Sequence, residues 1–259
     1  MSADVSSHHA LAARILPLLD LTSLGENDTP EWIQALCASA HTPAGLPAAL
    51  CVYPEHVTTA RRALQGTTAR VATVVNFPDG GSDAARAARE TRRALAAGAD
   101  EIDLVLPWRS LRGGEPAPAE AVVRACREVC GTRTTLKLIL ETGELGTPEL
   151  IREACAIGLA CEVDFLKTST GKAAVNATPE AAALMLDAIA QDGGRCGFKA
   201  AGGIRTLADA AVYLDLAESR LGADWINPVH FRIGASALFA ELTAALADPL
   251  APASAKTST

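Results

Sequence analysis

The chain has 259 residues, 49% of them hydrophobic, with a formal net charge of −7 and a pI near 5.3. That length fits two average domains or one large α/β barrel, with enough apolar residues for a sizeable core. The acidic balance gives no basic field to hold nucleic acid or an anionic membrane, so neither partner is expected.

Residues 1–10 read as a flexible N-terminus running into a short helix from His8 to Ile15, capped by Ser6 or Ser7. Leu16 to Asp20 reads as a first strand ending on a carboxylate. Thr29-Pro30-Glu31 opens a helix to about Ala40, with threonine as N-cap and proline at the first helical position. Ala48 to Val52 is a second strand, and Pro54 opens a helix to about Gln65. Arg70 to Phe77 is a third, followed by a DGGSD turn and a helix from Ser82 to about Ala97. Glu101 to Leu106 is a fourth; Arg109 to Pro118 reads as a loop, and a helix follows to about Val129. Thr135 to Glu141 is a fifth, with Thr147-Pro148-Glu149 starting a helix that ends near Gly158. Val163 to Lys167 is a sixth, with Thr178-Pro179-Glu180 starting a helix to about Gln191. Cys196 to Ala200 is a seventh; Gly202-Gly203 follows it, and Thr206 caps a helix to about Ser219. The eighth strand is either Asp224 to Asn227 or Phe231 to Ala235, and a last helix runs from Ser236 to about Leu246. From 248 to 259 the chain is mostly Pro, Ala, Ser and Thr and reads as a disordered tail.

Eight strand–helix units without a long linker make residues 11–247 one domain built on a parallel sheet. Eight units in about 250 residues favour a closed (β/α)8 TIM barrel with a short N-terminal helix. The alternative, an open doubly wound sheet, normally shows a glycine fingerprint after its first strand, and LPLLDLTSLG has none.

No apolar run approaches membrane-spanning length, and the N-terminus has no apolar signal core. The seven cysteines are odd in number, lack a C-x-x-C pair and read as packed thiols. The expectation is a soluble, reduced, cytoplasmic protein.

Only 5 residues are lysine against 18 arginines, which read as the surface cations. Lys137, Lys167, Lys172 and Lys199 fall in or just after predicted strands, and Lys256 lies in the tail. Barrels draw their active groups from the C-terminal ends of strands. Asp20, Asp103, Lys137, Glu141, Lys167 and Lys199 stand in or near such positions. A buried ammonium is costly unless a site uses it; it sheds its proton readily and becomes a nucleophile able to form a Schiff base. If Lys167 and Lys199 both point into the barrel they are neighbours, and each depresses the other's pKa; spacing does not say which is the nucleophile. The competing reading makes Asp20, Asp103 and Lys137 a buried structural ion network. Glu141 reads as a cap of the following turn and stands outside the catalytic set. Cys51 ends the second strand, facing the substrate or packed as a thiol. The turns Thr170-Gly171-Lys172, Gly202-Gly203-Ile204-Arg205 and Gly234-Ala235-Ser236 follow consecutive late strands, where barrels hold phosphate. The five histidines show no ligand spacing, so no metal is expected, and no cofactor motif appears.

The segments Asp20-Leu21-Thr22, NFP from Asn76, GADEIDLV from Gly98, ETGEL from Glu141, DFLKTSTGK from Asp164, FKAAGGIRT from Phe198 and FRIGAS from Phe231 together resemble the deoxyribose-phosphate aldolases, a family of class I aldolases. The resemblance spans about Leu11 to Leu246, and DFLKTSTGK is its most specific part. It implies a metal-free (β/α)8 barrel that reversibly cleaves 2-deoxy-D-ribose 5-phosphate to acetaldehyde and D-glyceraldehyde 3-phosphate, in deoxyribose phosphate catabolism. On this sequence it implies Lys167 as the Schiff-base lysine, Lys199 as the second lysine and Asp103 as the proton-relay carboxylate. Asp20, Thr22, Lys137 and Cys51 would support them, and Gly171, Lys172, Gly202, Gly203, Gly234 and Ser236 would bind phosphate. The implied partners are a phosphosugar and an aldehyde. The sequence fixes no oligomeric state; a homodimer through outer helices is compatible with such barrels. Family members often carry proline where Ala200 stands and serine where Ala237 stands, and some end in a tyrosine that this tail lacks, so slower turnover or proton exchange is expected. Two rivals stay open: a non-catalytic phosphosugar-binding barrel, and Schiff-base chemistry with another aldehyde acceptor.

Overall fold

The computed structural model describes residues 2–247; the tail predicted for 248–259 lies outside them. Eight strands, β1 (Leu19–Ser23), β2 (Ala49–Val52), β3 (Arg70–Val75), β4 (Glu101–Val105), β5 (Thr135–Ile139), β6 (Phe165–Lys167), β7 (Gly197–Ala201) and β8 (Phe231–Ala235), close into a barrel in sequence order. Every pair is parallel, β8 with β1 included. The helices are α1 (Ser2–Ile15), α2 (Pro30–Ser39), α3 (Val57–Ala63), α4 (Ala84–Ala96), α5 (Trp108–Arg112), α6 (Pro116–Cys130), α7 (Thr142–Leu145), α8 (Pro148–Ala160), α9 (Pro179–Gln191), α10 (Leu207–Leu221) and α11 (Leu238–Ala247). The fold is therefore the predicted (β/α)8 barrel with an N-terminal helix.

The helix starts follow their local chemistry. Thr29, Thr147 and Thr178 sit in extended backbone, each side chain accepting a backbone N–H three residues on, with proline at the next position. Thr206 and Asp209 cap α10 reciprocally. Each such cap contributes about 1 kcal/mol and fixes where the chain turns from strand to helix.

Alternation along the strands then divides the side chains. Outward residues such as Leu21, Leu50, Ile102, Leu138, Leu166 and Phe198 join the main core under the helices. Inward on β2 and β3 are the short residues Ala49, Cys51, Ala72 and Val74, a small cluster of their own. That compact wall leaves the interior to the long charged side chains of the other strands.

Several boundaries differ from expectation. Pro17 fixes φ and lacks an N–H, so Leu16–Leu18 forms a 3-10 turn and β1 begins at Leu19. Asp20 is thus the second residue of its strand, not its end. α1 reaches back to Ser2 instead of starting beyond Ser6 or Ser7, so most of the span expected to be flexible is helical. The expected loop from Arg109 contains α5, anchored by buried Trp108. The eighth strand is Phe231–Ala235, whereas the Asp224 segment lies in a 3-10 turn. β5 stops at Ile139, and Glu141, at φ 58°, does not share the strand face of Lys137. Among the described residues no helix is long and apolar enough to cross a membrane. All seven cysteines are buried and unpaired.

Candidate active site

Lys167 is the last residue of β6, its side chain turned into the barrel and 3% exposed. It pairs in register with Lys199 of β7, and Lys137 of β5 pairs with Asp103 of β4. Three lysines on three adjacent strands therefore face a common space. Asp20 enters it from β1, Glu101 and Asp103 from β4, and Arg232 from β8. All seven side chains are buried.

The carboxylates are unequally shared. Lys137 Nζ lies 2.5 Å from Glu101, 2.8 Å from Asp103 and 3.5 Å from Asp20. Lys199 Nζ donates to Asp20 at 2.5 Å and to Asp103 Oδ2 at 2.8 Å. Lys167 Nζ has one carboxylate partner, the same Asp103 Oδ2, at 2.7 Å. Arg232 bridges Asp20 at 2.6 Å and Glu101 at 3.0 Å.

The proton affinities follow from this distribution. Burial pushes Lys167 below the usual lysine range; Asp103 opposes that shift and Lys199 adds to it. Lys199 is equally buried, but Asp103 and Asp20 together hold it above its ordinary value. Lys137, with three carboxylates, is also raised. Burial would raise the carboxyl of Asp103, but Lys137, Lys167 and Lys199 outweigh it and hold the group well below the usual range. Lys199, Arg232 and Lys137 do the same for Asp20. The two neighbouring cations thus do not simply repel. They share a carboxylate, and the depression of Lys167 comes first from lost hydration and only then from Lys199.

The other sequence-derived residues divide into three groups. Cys51 faces the interior, its thiol pushed up to about 11 by burial, so it is a protonated wall residue. Thr22 Oγ1 donates to the Asp20 carbonyl at 2.9 Å, bracing β1 at its exit. Gly171, Gly202 and Gly203 have φ of 83°, 87° and 86°, so the turns after β6 and β7 need glycine. Open space lies where a side chain would stand at Gly171 and Gly203, while Asn176 crowds Gly202. Lys172 is exposed and donates to the Leu24 carbonyl at 2.8 Å, tying the loop after β6 to the loop after β1. Gly234 is not a turn glycine: it lies inside β8, and a Cβ there would come 2.9 Å from Lys199 Cε. Its role is clearance for that lysine. Ser236 is exposed between β8 and α11. Glu141 accepts the Thr170 N–H at 3.2 Å, which ties the end of β5 to the DFLKTSTGK loop instead of capping α7.

Glu101 and Arg232 were not singled out by sequence reasoning. Arg232 is a charged residue between two apolar ones in a strand, Phe231 and Ile233, the pattern of an inward position, whereas Glu101 follows Asp100 at the very start of its strand. Arg232 also shows that arginine here is not confined to the surface. Its planar fork matches two carboxylates at once, which an ammonium does not.

A closed parallel barrel with a lysine-lined interior and a lysine at the end of β6 is the architecture of an aldolase barrel. The chain belongs to the DeoC/LacD family of aldolases, whose family model matches residues 14–241. It is therefore an aldolase, a carbon–carbon lyase. Among solved structures it is similar to a "putative deoxyribose-phosphate aldolase" from Toxoplasma gondii ME49, with 26% identity over 93% of this chain and 94% of that one and a TM-score of 0.82. A protein with the same description from Coccidioides immitis matches at 29% identity over 92% of this chain and 95% of that one, with a TM-score of 0.77. Deoxyribose phosphate aldolase from Aeropyrum pernix, at 21% identity over 94% of this chain and 93% of that one and a TM-score of 0.72, shares the fold.

Proposed function

We propose that this aldolase works through a Schiff base on Lys167 and cleaves 2-deoxy-D-ribose 5-phosphate reversibly to acetaldehyde and D-glyceraldehyde 3-phosphate. The observation that carries the reading is the partner count: of the three interior lysines, Lys167 alone has a single carboxylate, shared with Lys199. It is the amine that gives up its proton at least cost. The substrate class rests on the DFLKTSTGK and FKAAGGIRT motifs, on the similarity to the T. gondii and C. immitis proteins, and on the open glycine turns after β6 and β7.

Neutral Lys167 attacks C1 of the open-chain sugar, and loss of water leaves an iminium. This electron sink lets the C2–C3 bond break as the C3 hydroxyl loses its proton, releasing glyceraldehyde 3-phosphate. Asp103, bonded by three ammonium groups, is a weak base by itself; it acts as a relay to Lys199, which first gives its proton to the hydroxyl that leaves as water and, as the free amine, then takes up the C3 proton. The enamine on Lys167 then takes a proton at C2, and hydrolysis frees acetaldehyde. Backbone N–H groups near Gly171 and Gly203, with Lys172 and Ser236, hold the phosphate and orient the far end of the sugar.

The test is acetaldehyde release from 2-deoxy-D-ribose 5-phosphate, followed with a coupled alcohol dehydrogenase in the presence of EDTA. Release that persists with chelator supports the reading. A purified protein that cleaves other aldols but leaves this sugar intact would move the assignment to another acceptor.

A further inference from the structure

Four cations and three carboxylates meet inside the barrel: Lys137, Lys167, Lys199 and Arg232 against Asp20, Glu101 and Asp103. With every group ionised this bonded set, which leaves out Glu141 because that carboxylate bonds the Thr170 N–H and none of these cations, carries one surplus positive charge among buried side chains, which is costly. Arginine does not lose its proton in proteins, so a lysine has to. Lys137 has three carboxylates and Lys199 two, leaving Lys167 with one.

Arg232 stands at the opposite end of this cluster. It borders a cavity of about 790 Å³ at the N-terminal face of the barrel, lined also by the strand-start residues Arg70, Glu101 and Thr135. Asp20 from β1 and Glu101 from β4 bind its guanidinium. The Phe165 ring from β6 lies 5.6 Å from it, and the Pro228 carbonyl before β8 accepts from Nε at 2.5 Å. Lys137 from β5 shares both carboxylates with it, and Lys199 from β7 shares Asp20. Around Lys167 the facing groups are Cys51 from β2, Asp103 from β4, Glu141 beyond β5 and Lys199 from β7, with Lys137 on the far side of Asp103.

We propose that Arg232 sets the proton state of Lys167 from across the barrel: as a permanent fourth cation it makes the cluster one charge too positive, and Lys167 is the member that relieves the excess. Arg232 touches no substrate and is a positioning residue. Glu101 is its counterweight. The inference deepens the proposed function and rests on Lys167 being the nucleophile.

Two variants move the balance in opposite directions. Arg232→Met leaves three carboxylates with three lysines, so Lys167 keeps its proton to higher pH. Glu101→Gln leaves two carboxylates with four cations, so Lys167 loses its proton at lower pH. The double variant Arg232→Met/Glu101→Gln restores the surplus of one. Because like charges disfavour and opposite charges favour the protonated amine, the two single changes move Lys167 in opposite directions.

The experiment is competitive pulse labelling of the purified full-length chain with acetic anhydride across pH, with Lys167 acetylation read by peptide mass mapping. The expected titration midpoint rises in Arg232→Met, falls in Glu101→Gln, and returns to the wild-type value in the double variant. Equal midpoints in all four proteins, or shifts of one sign in both single variants, overturn the proposal. Glu101→Gln changes almost no volume, so it carries the test if Arg232→Met does not fold by circular dichroism. Acetic anhydride reads the amine whether or not a carbonyl substrate binds. A Lys167 that shifts as described but never traps an aldehyde overturns the Schiff-base function alone. A Lys167 that traps acetaldehyde with unmoved midpoints overturns the role of Arg232 alone.

Discussion

Replacing Lys199 by methionine removes one of two ammonium groups bonded to the same carboxylate oxygen. Asp103 Oδ2 accepts Lys167 at 2.7 Å and Lys199 at 2.8 Å, which places the two nitrogens no more than about 5.5 Å apart. At that separation and an effective dielectric constant near 20, their repulsion is about 3 kcal/mol, or about two pK units. Burial, the larger cause of the depression of Lys167, is untouched. Asp103 keeps Lys137 and Lys167, and Asp20 keeps Arg232 and Lys137, so no carboxylate is left unpaired. Lys199→Met is therefore expected to fold, with the acid limb of Lys167 reactivity moved up by about two units and the rate at neutral pH lowered. The assay is the rate of reductive trapping by acetaldehyde and cyanoborohydride between pH 5 and 10, with Lys199→Arg as the charge-retaining control. An acid limb that stays within about 0.3 unit of wild type in Lys199→Met would refute electrostatic coupling between the two amines.

Two further outcomes follow from the same geometry. Gly234→Ala puts a Cβ 2.9 Å from Lys199 Cε and 3.1 Å from the Ala201 Cβ on ordinary strand backbone. It should cost about 1–3 kcal/mol in urea unfolding, and a change below about 0.5 kcal/mol would show that Lys199 moves aside freely. Asp20 and Asp103 both titrate below the ordinary value of 3.8 in the folded chain. Through that range the unfolded chain binds more protons, so the stability these groups provide is complete above about pH 4 and falls as pH drops further. Thermal unfolding from pH 6 down to pH 2.5 should show Tm falling steeply below about pH 4; a flat Tm there would mean the cluster contributes nothing to folding.

The barrel was legible in the sequence because its punctuation is local. The Thr-Pro-Glu starts at Thr29, Thr147 and Thr178 and the apolar strands between them each report on a few residues, and eight such units leave little architectural choice. The pairing of Lys167 with Lys199 was also legible, since both lie in consecutive parallel strands. Pro17 is a local signal that was passed over: its ring excludes the residues before Leu19 from the sheet and moves Asp20 deeper into the barrel. What chain spacing does not carry is the division of three carboxylates among four cations. That depends on how far side chains reach across the barrel, and hence on the short residues Ala49, Cys51, Ala72 and Val74 opposite them. Arg232 was hidden by its company, one arginine among many on the surface, and Gly234 by its motif, which reads as a turn until the strand is seen to run through it.

The central claim is that an uncharged Lys167 is the nucleophile, and trapping with acetaldehyde and borohydride followed by peptide mass mapping tests it most directly. The expected result is a single reduced two-carbon adduct on Lys167, absent in Lys167→Ala, with Lys137 and Lys199 unlabelled. Label on Lys199 or Lys137 in place of Lys167, or undiminished adduct in Lys167→Ala, would contradict it.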